Sequence, residues 1–298
     1  MSLLNRTNDG NHSVLVAIVK LLLSEKKHLS RENIVNMCAP GEVGDPAKVR
    51  PTINRWIELG LIQEKDDRIL LHEDVRKEER SIECLPDLAR RLVLRSENNT
   101  DLWAKEDARA SDFTRAMGWL LAQDVWRTSA DSWSDIQSLT QQQIGKGSII
   151  IQNDARWPGL KAWAKYLGFA WSPAASRSAI VIDPTRAIRA AIPKVFGKRK
   201  SLESAEFLKG LASEIPVIDG GVYRKEVEDR LSERDGSNAW SPPPNNQIST
   251  SLSQSILRLT VDGTLVAENK ADSDEAIRIT LTGRNHSKLK TFSHFTRA

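Results

Sequence analysis

The sequence predicts a mainly α-helical chain with small β-hairpins, and three observations carry that prediction. Apolar residues recur at helical spacing in several separate segments. Asp-Pro pairs, good helix starts, stand before two of them. Near each end of the chain two short apolar stretches flank a polar, Asp-containing turn. At 298 residues, with 40% hydrophobic and 28% charged, the composition is that of an ordinary globular protein with room for two or three small domains.

The first region is read as residues 1–76. An apolar run from Val14 to Leu23 predicts a helix, and Leu29 to Met37 a second one with Ser30 as its N-cap. A third runs from about Pro46 to Leu59 and stops at Gly60. Asp45 caps its free N–H groups, and Pro46 loses nothing at the first helical position. Leu61 and Ile62 then start a strand, Lys65-Asp66-Asp67-Arg68 turns, and Ile69-Leu70-Leu71 returns. Three helices followed by a hairpin is the layout of the winged helix-turn-helix, whose third helix lies in the DNA major groove. Arg55-Trp56-Ile57-Glu58-Leu59-Gly60-Leu61-Ile62 looks like the joint between that helix and the wing. Val49, Ile53, Trp56 and Ile57 share one helical face and are assigned to the core. Lys48, Arg50, Thr52, Asn54 and Arg55 are assigned to the opposite, DNA-facing side, with Lys65 and Arg68 on the wing. Pro51 either kinks this helix or marks its true start; the second case would move Lys48 and Arg50 into the preceding loop.

Residues 77–200 are read as a helical, Trp-rich middle. Asp87 to Leu94 and Ser111 to Trp126 are amphipathic helices. Four of the nine tryptophans (Trp103, Trp119, Trp126 and Trp133) lie in this stretch, and those at helical spacing among Met117, Leu120 and Leu121 belong to a core. Ser138 to Lys146 reads as a polar connector. Residues 148–200 suggest a divergent winged-helix-like module: a short buried segment at Ser148 to Ile151, a helix ending near Gly168, a strand at Ala179 to Ile182, and a helix from Thr185 to Ile192 opened by Asp183-Pro184. No acid stands between Asp183 and Glu203, while Arg186, Arg189, Lys194, Lys198, Arg199 and Lys200 do. This stretch is either a phosphate-contacting patch or a solvated basic linker.

Residues 201–298 repeat the first layout. Helices are predicted at Leu202 to Leu211, Val222 to Leu231 and Ile248 to Leu259, with a Pro-rich loop at Ser241-Pro242-Pro243-Pro244 before the third. Leu265 to Asn269 and Ala276 to Leu281 are read as a hairpin turning at Ala271-Asp272-Ser273-Asp274. The third helix offers Ser249, Thr250, Ser251, Ser253, Gln254 and Arg258 as its polar face, with Ser249, Ser251, Gln254 and Arg258 as candidate DNA contacts. With one cation among them, that face suits a protein as readily as DNA. The tail carries Arg284, His286, Lys288, Lys290, His294 and Arg297 without an acid, and reads as a basic arm or a frayed terminus.

The fold class is thus mainly α with small β-hairpin wings, winged helix-turn-helix domains standing at both ends of a helical middle. The net charge of +4 suits nucleic acid without requiring it. Cys38 and Cys84 have no CxxC spacing and are read as buried reduced thiols; the five histidines show no metal spacing, and no metal is expected. There is no GxxxxGK[ST] or GxGxxG, so no nucleotide cofactor is expected. Glu226, Glu228 and Asp229 share a helix with Lys225 and Arg230, which reads as salt-bridged surface rather than a Mg²⁺ centre. The chain is expected not to be an enzyme. No run of 18 apolar residues exists, and the first helix, interrupted by Lys20, lacks a cleavage pattern, so no membrane partner and a cytoplasmic location are expected.

Met1-Ser2-Leu3-Leu4-Asn5-Arg6, the Trp56 to Ile62 joint, the Trp157 to Phe169 segment and Ile182-Asp183-Pro184-Thr185 resemble DpdG-type bacterial proteins. That family is encoded in clusters that insert 7-deazaguanine bases into DNA and restrict unmodified DNA. The resemblance implies an accessory role in an anti-phage, multi-protein DNA-modification system, with DNA and other protein subunits as partners, and carries over no catalytic residue. Alternatives are a stand-alone winged-helix transcriptional regulator, which would bind a palindrome as a homodimer, and a protein-binding adaptor using its winged helices as docking surfaces.

Overall fold

The computed structural model describes residues 2–4, 12–24, 29–40, 46–103, 109–128, 130, 132–145, 147–174, 176, 179–234, 239–244, 246–270, 276–280 and 289–297. The first stretch forms α1 (His12–Ser24), α2 (Arg31–Cys38), α3 (Pro46–Glu58), β1 (Ile62–Lys65), β2 (Arg68–Leu71) and α4 (Leu85–Val93). Then come α5 (Ser111–Ala122), α6 (Trp133–Gln143), α7 (Trp157–Tyr166), β3 (Ala170–Trp171), β4 (Val181–Ile182) and α8 (Thr185–Phe196). The chain closes with β5 (Ser201–Glu203), α9 (Ser204–Glu214), α10 (Val222–Ser232), α11 (Thr250–Val261), β6 (Leu265–Glu268), β7 (Ile277–Thr280), β8 (Leu289–Phe292) and β9 (His294–Arg297). The protein is mainly helical, with small antiparallel sheets.

Two compact units form, each from two stretches of sequence: Met1–Thr114 with Ile151–Leu167, and Arg115–Ile150 with Gly168–Ala298. The boundaries read from the sequence, after residues 76 and 200, both fall inside these units.

In the first unit α1, α2 and α3 pack on one another and on the β1–β2 hairpin. The Ser30 hydroxyl accepts from the Asn33 N–H and caps α2, as its residue type predicts. Asp66 and Asp67 both take positive φ (51° and 60°) between the paired Lys65 and Arg68, so the β1–β2 hairpin closes through a two-residue turn. The Ile69 N–H donates to the Leu29 carbonyl at 2.9 Å, tying the segment before α2 to the hairpin. Helix α3 starts at Pro46 and runs through Pro51, which settles the choice of start; the proposed cap Asp45 lies outside the described residues. Trp56 is fully buried, with its ring 5.6 Å from that of Trp163 on α7. Asp112, buried at the start of α5, accepts from the Ser2 hydroxyl, the Leu4 N–H at 3.1 Å and Arg156 at 3.2 Å. The first residues of the chain are thereby held against the body of this unit.

In the second unit α8, α9 and α11 pack around a three-stranded sheet ordered β5–β9–β6. Phe295 on the central strand is fully buried, 4.6 Å from Phe207. Gly210 lets α9 approach α8: a Cβ there would stand 2.8 Å from Val195 Cγ1. Trp119 Nε1 donates to Gln143 Oε1 at 2.8 Å, and Gln143 Nε2 to Gln123 Oε1 at 2.9 Å, locking α6 to α5.

Several sequence expectations are corrected. The polar stretch read as a connector is largely helix: α6, capped by Ser132, ends only at Gln143. Helix α5 stops at Ala122, short of Trp126. The hairpin of residues 265–281 does not form, because β6 pairs with β9 and β7 with β8; its proposed turn, 271–274, lies outside the described residues. The C-terminal tail is neither arm nor frayed end over residues 289–297, where Phe292 and Phe295 draw two strands into the core. Arg284, His286 and Lys288 lie outside the described residues. Cys38 and Cys84 are free but only half-buried.

Candidate nucleic-acid interface

Helix α3 presents Ala47, Arg50, Asn54 and Glu58 as its exposed stripe, with Lys48 half-buried at its margin. Thr52 and Arg55 are at 0% and 1% exposure. Neither can contact DNA as the sequence suggests: thirteen residues of helix packed on α1, α2 and β1 leave only one narrow outer stripe. The Thr52 hydroxyl is spent inside the helix, donating to the Lys48 carbonyl at 2.7 Å.

The outer stripe is not strongly positive. Asn54 accepts from Arg31, which also holds Glu64 at 2.5 Å; that hydrogen bond keeps the Glu64 carboxyl below its usual range. Arg50 stands 3.9 Å from Glu32. At the tip of the β1–β2 hairpin Lys65 and Arg68 are exposed, flanking the equally exposed Asp66 and Asp67.

In the second unit the basic stretch is not a linker. Arg186, Arg189 and Lys194 project from the exposed side of α8, and Lys198, Arg199 and Lys200 sit on the turn into β5. All six are exposed. The absence of acid in this run of sequence is offset in space, because the fold brings acids from elsewhere: Arg189 pairs with Asp262, Lys194 with Glu214 at 3.2 Å, and Arg199 with Glu206. Such exposed pairs contribute at most about 1 kcal/mol each and yield readily to a competing anion. Asp262 is held below the usual carboxylate range by the Thr264 hydroxyl and by Arg189.

Helix α11 departs furthest from expectation. Ser249, Ser251 and Gln254 are 2–4% exposed and cannot reach a nucleic acid. Ser249 caps the helix and is bound at both its N–H and hydroxyl by Asp219, each at 2.6 Å. The Ser251 hydroxyl donates to the Leu121 carbonyl at 2.8 Å, and Ser253 Oγ accepts from the Thr280 N–H at 3.1 Å. These small polar side chains satisfy buried backbone groups at a close-packed face. Arg258 alone of the four proposed contacts is exposed. It pairs with Asp183 and lies 5.9 Å above the ring of Trp171. Trp171, 40% exposed on β3, was not singled out by the sequence; its neighbours Ala170 and Ser172 form no periodic pattern that distinguishes a surface tryptophan from a core one.

On α10 the ion pairing read from the sequence is present at Glu228, but its partner is a buried arginine rather than Lys225 or Arg230. Glu228 binds Arg224 at 2.6 Å, and that guanidinium is fully buried, 3.7 Å from Asp219; burial pushes the Glu228 carboxyl up despite its partner. Among the described residues no three His, Cys, Asp or Glu side chains gather as a metal site, and no helix is long and apolar enough to cross a membrane.

A family model described as DpdG-like matches residues 1–273 of the 298. No curated protein and no solved structure matches.

Proposed function

The chain belongs to the DpdG-like family, tied to the 7-deazaguanine modification system of DNA, and on that premise we propose that it is a DNA-binding accessory subunit that positions partner enzymes without chemistry of its own. The observation that carries this reading is the group of six exposed cations from Arg186 to Lys200 on and beside α8. Phosphate binding is driven by release of counterions from the duplex, and each displaced ion pair of Arg189, Lys194 or Arg199 frees a cation for it. The first unit supports a winged-helix reading through its order of three helices and hairpin, with Arg50 and Asn54 on the exposed stripe of α3 and Lys65 and Arg68 on the wing. With so few cations there, its part is orientation on the duplex rather than bulk affinity.

A second reading, a protein-docking adaptor, is favoured by the balanced charge of the α3 stripe, where Glu32, Glu58 and Glu64 offset Arg31 and Arg50. Fluorescence anisotropy of the purified chain on unmodified and 7-deazaguanine-containing duplexes at low salt separates the two. Binding at micromolar concentration or below, with both duplexes recovered intact in the presence of Mg²⁺, supports the DNA-binding subunit. No binding at low salt refutes it and leaves the adaptor; cleaved or altered DNA refutes the absence of chemistry.

A further inference from the structure

In the second unit a cavity of about 300 Å³ lies between the segment after α5 and strand β4. Its described walls include Gln123, Trp126, Arg127, Thr128, Ile180 and Ile182. The volume is at the small end of the range for small-molecule sites. Three features of its walls select a ligand.

The first is an open strand edge. The Asp183 N–H donates to the Phe169 carbonyl at 2.8 Å, and Trp171 pairs with Val181. Alternation along an antiparallel pair then makes Trp171–Val181 a hydrogen-bonded pair, so the N–H and C=O groups of Ile180 and Ile182 turn to the outer edge of β4. No strand pairs with that edge among the described residues. Ile180, Val181 and Ile182 all line the cavity while β3 contributes nothing to it, which places the cavity along this outer edge. It therefore meets alternating backbone donors and acceptors.

The second is Trp126. It is the aromatic side chain of the described wall and stands beside the strand edge. The third is rigidity. The Val125 N–H donates to Thr250 Oγ1 at 3.0 Å, the Trp126 N–H to Asp124 Oδ1 at 3.0 Å, and the Thr128 N–H to the Asp124 carbonyl at 2.9 Å, so the aromatic wall is fixed before any ligand arrives.

We propose that this cavity binds a nucleobase. A flat ring of that class offers a π-face to Trp126 and, in its own plane, the adjacent donors and acceptors that a strand edge matches. Arg127, its side chain 77% exposed, stands at the mouth, where the phosphate of a nucleotide would lie. A two-residue strand offers too little edge for an extended peptide, whose affinity depends on a run of main-chain bonds. The proposal does not depend on duplex binding through α8.

Calorimetric titration of the full chain with each of the four deoxynucleoside monophosphates, and with a short single-stranded oligonucleotide, tests it. Two variants accompany the wild type, both checked by circular dichroism. Thr128→Trp fills the cavity. Ile180→Pro removes one outward N–H while sparing the ladder to β3. The expected result is saturable binding of at least one nucleotide, weakened tenfold or more in whichever variants fold. Equal affinity for mononucleotide and oligonucleotide assigns a free nucleotide as the source, and a tenfold preference for the oligonucleotide assigns a base within a strand. No binding by the wild type, or binding unchanged in a folded variant, overturns the proposal.

Discussion

Replacing Trp56 with alanine removes the side chain on which the first unit closes. Trp56 has 0% exposure and packs its ring 5.6 Å from Trp163, a residue more than a hundred positions away in the chain. Truncating a buried tryptophan costs about 3–5 kcal/mol through lost transfer energy and the cavity left behind. Unfolding entropy near the transition is about 2.1 cal/mol/K per residue, which for about 130 residues in this unit converts the loss into a fall of about 10–20 °C. Differential scanning calorimetry of the full chain reads it directly. Trp56→Phe is the control. The Trp56 indole N–H has no hydrogen-bond partner, so phenylalanine forfeits no bond and leaves a smaller cavity than alanine; its cost should be clearly below that of Trp56→Ala. A Trp56→Ala protein whose transitions all stay within about 3 °C of the wild type would refute the packing described for α3.

Arg55→Ala should lower stability by about 2 kcal/mol or more, because truncating so large a fully buried side chain leaves a cavity, whereas Arg50→Ala on the exposed stripe should change it by less than about 0.5 kcal/mol; urea unfolding of the two variants compares them. Gly221→Ala should be poorly tolerated, because a Cβ there collides with the Pro216 carbonyl oxygen, which also receives the Tyr223 and Arg224 N–H groups at the start of α10; loss of soluble protein or a markedly lower melting temperature is the expected result. Glu79 is held at a pKa of about 2, chiefly by its hydrogen bonds from Arg91 and then from Arg76. Since the folded-state pKa is depressed, its stabilising contribution is complete above the ordinary value of 4.5 and disappears as pH falls toward about 2. The stability gap between wild type and Glu79→Gln should therefore be full at pH 6 and close across that window.

What the sequence disclosed and what it hid divide by range of interaction. The Ser30 cap, the Asp66-Asp67 turn and the inward face of α3 at Val49, Ile53 and Trp56 are set by neighbours within a few residues, and each is found where residue type and spacing put it. The pairing of β6 with β9 is set by Phe295 entering a core shared with Phe207, across nearly ninety residues, and spacing within the segment 265–281 carries no trace of it. The serines of α11 mislead because hydroxyl-bearing residues suit a wet face and a tightly packed interior equally; only the Leu121 carbonyl and the Thr280 N–H decide between them. The basic run from Arg186 to Lys200 is acid-free as text and half-neutralised as a surface, since Glu206, Glu214 and Asp262 arrive from α9 and the end of α11. Of the proposed contacts the exposed cations and Asn54 hold their place at the surface, while Thr52, Arg55, Ser249, Ser251 and Gln254 do not.

Engagement of DNA phosphates by the α8 surface is read from the salt dependence of duplex binding in the wild type and in the Lys198→Glu, Lys200→Glu double variant. Both lysines are exposed, and no ion pair to either is found among the described residues. Each neutralised phosphate contributes a slope of about −0.9 in log K against log salt. With these two lysines and the displaceable cations around them, the wild type should show a slope of about −3 to −5, and the double variant one shallower by about 2. A wild-type slope shallower than about −1, or an unchanged slope in the variant, would contradict it.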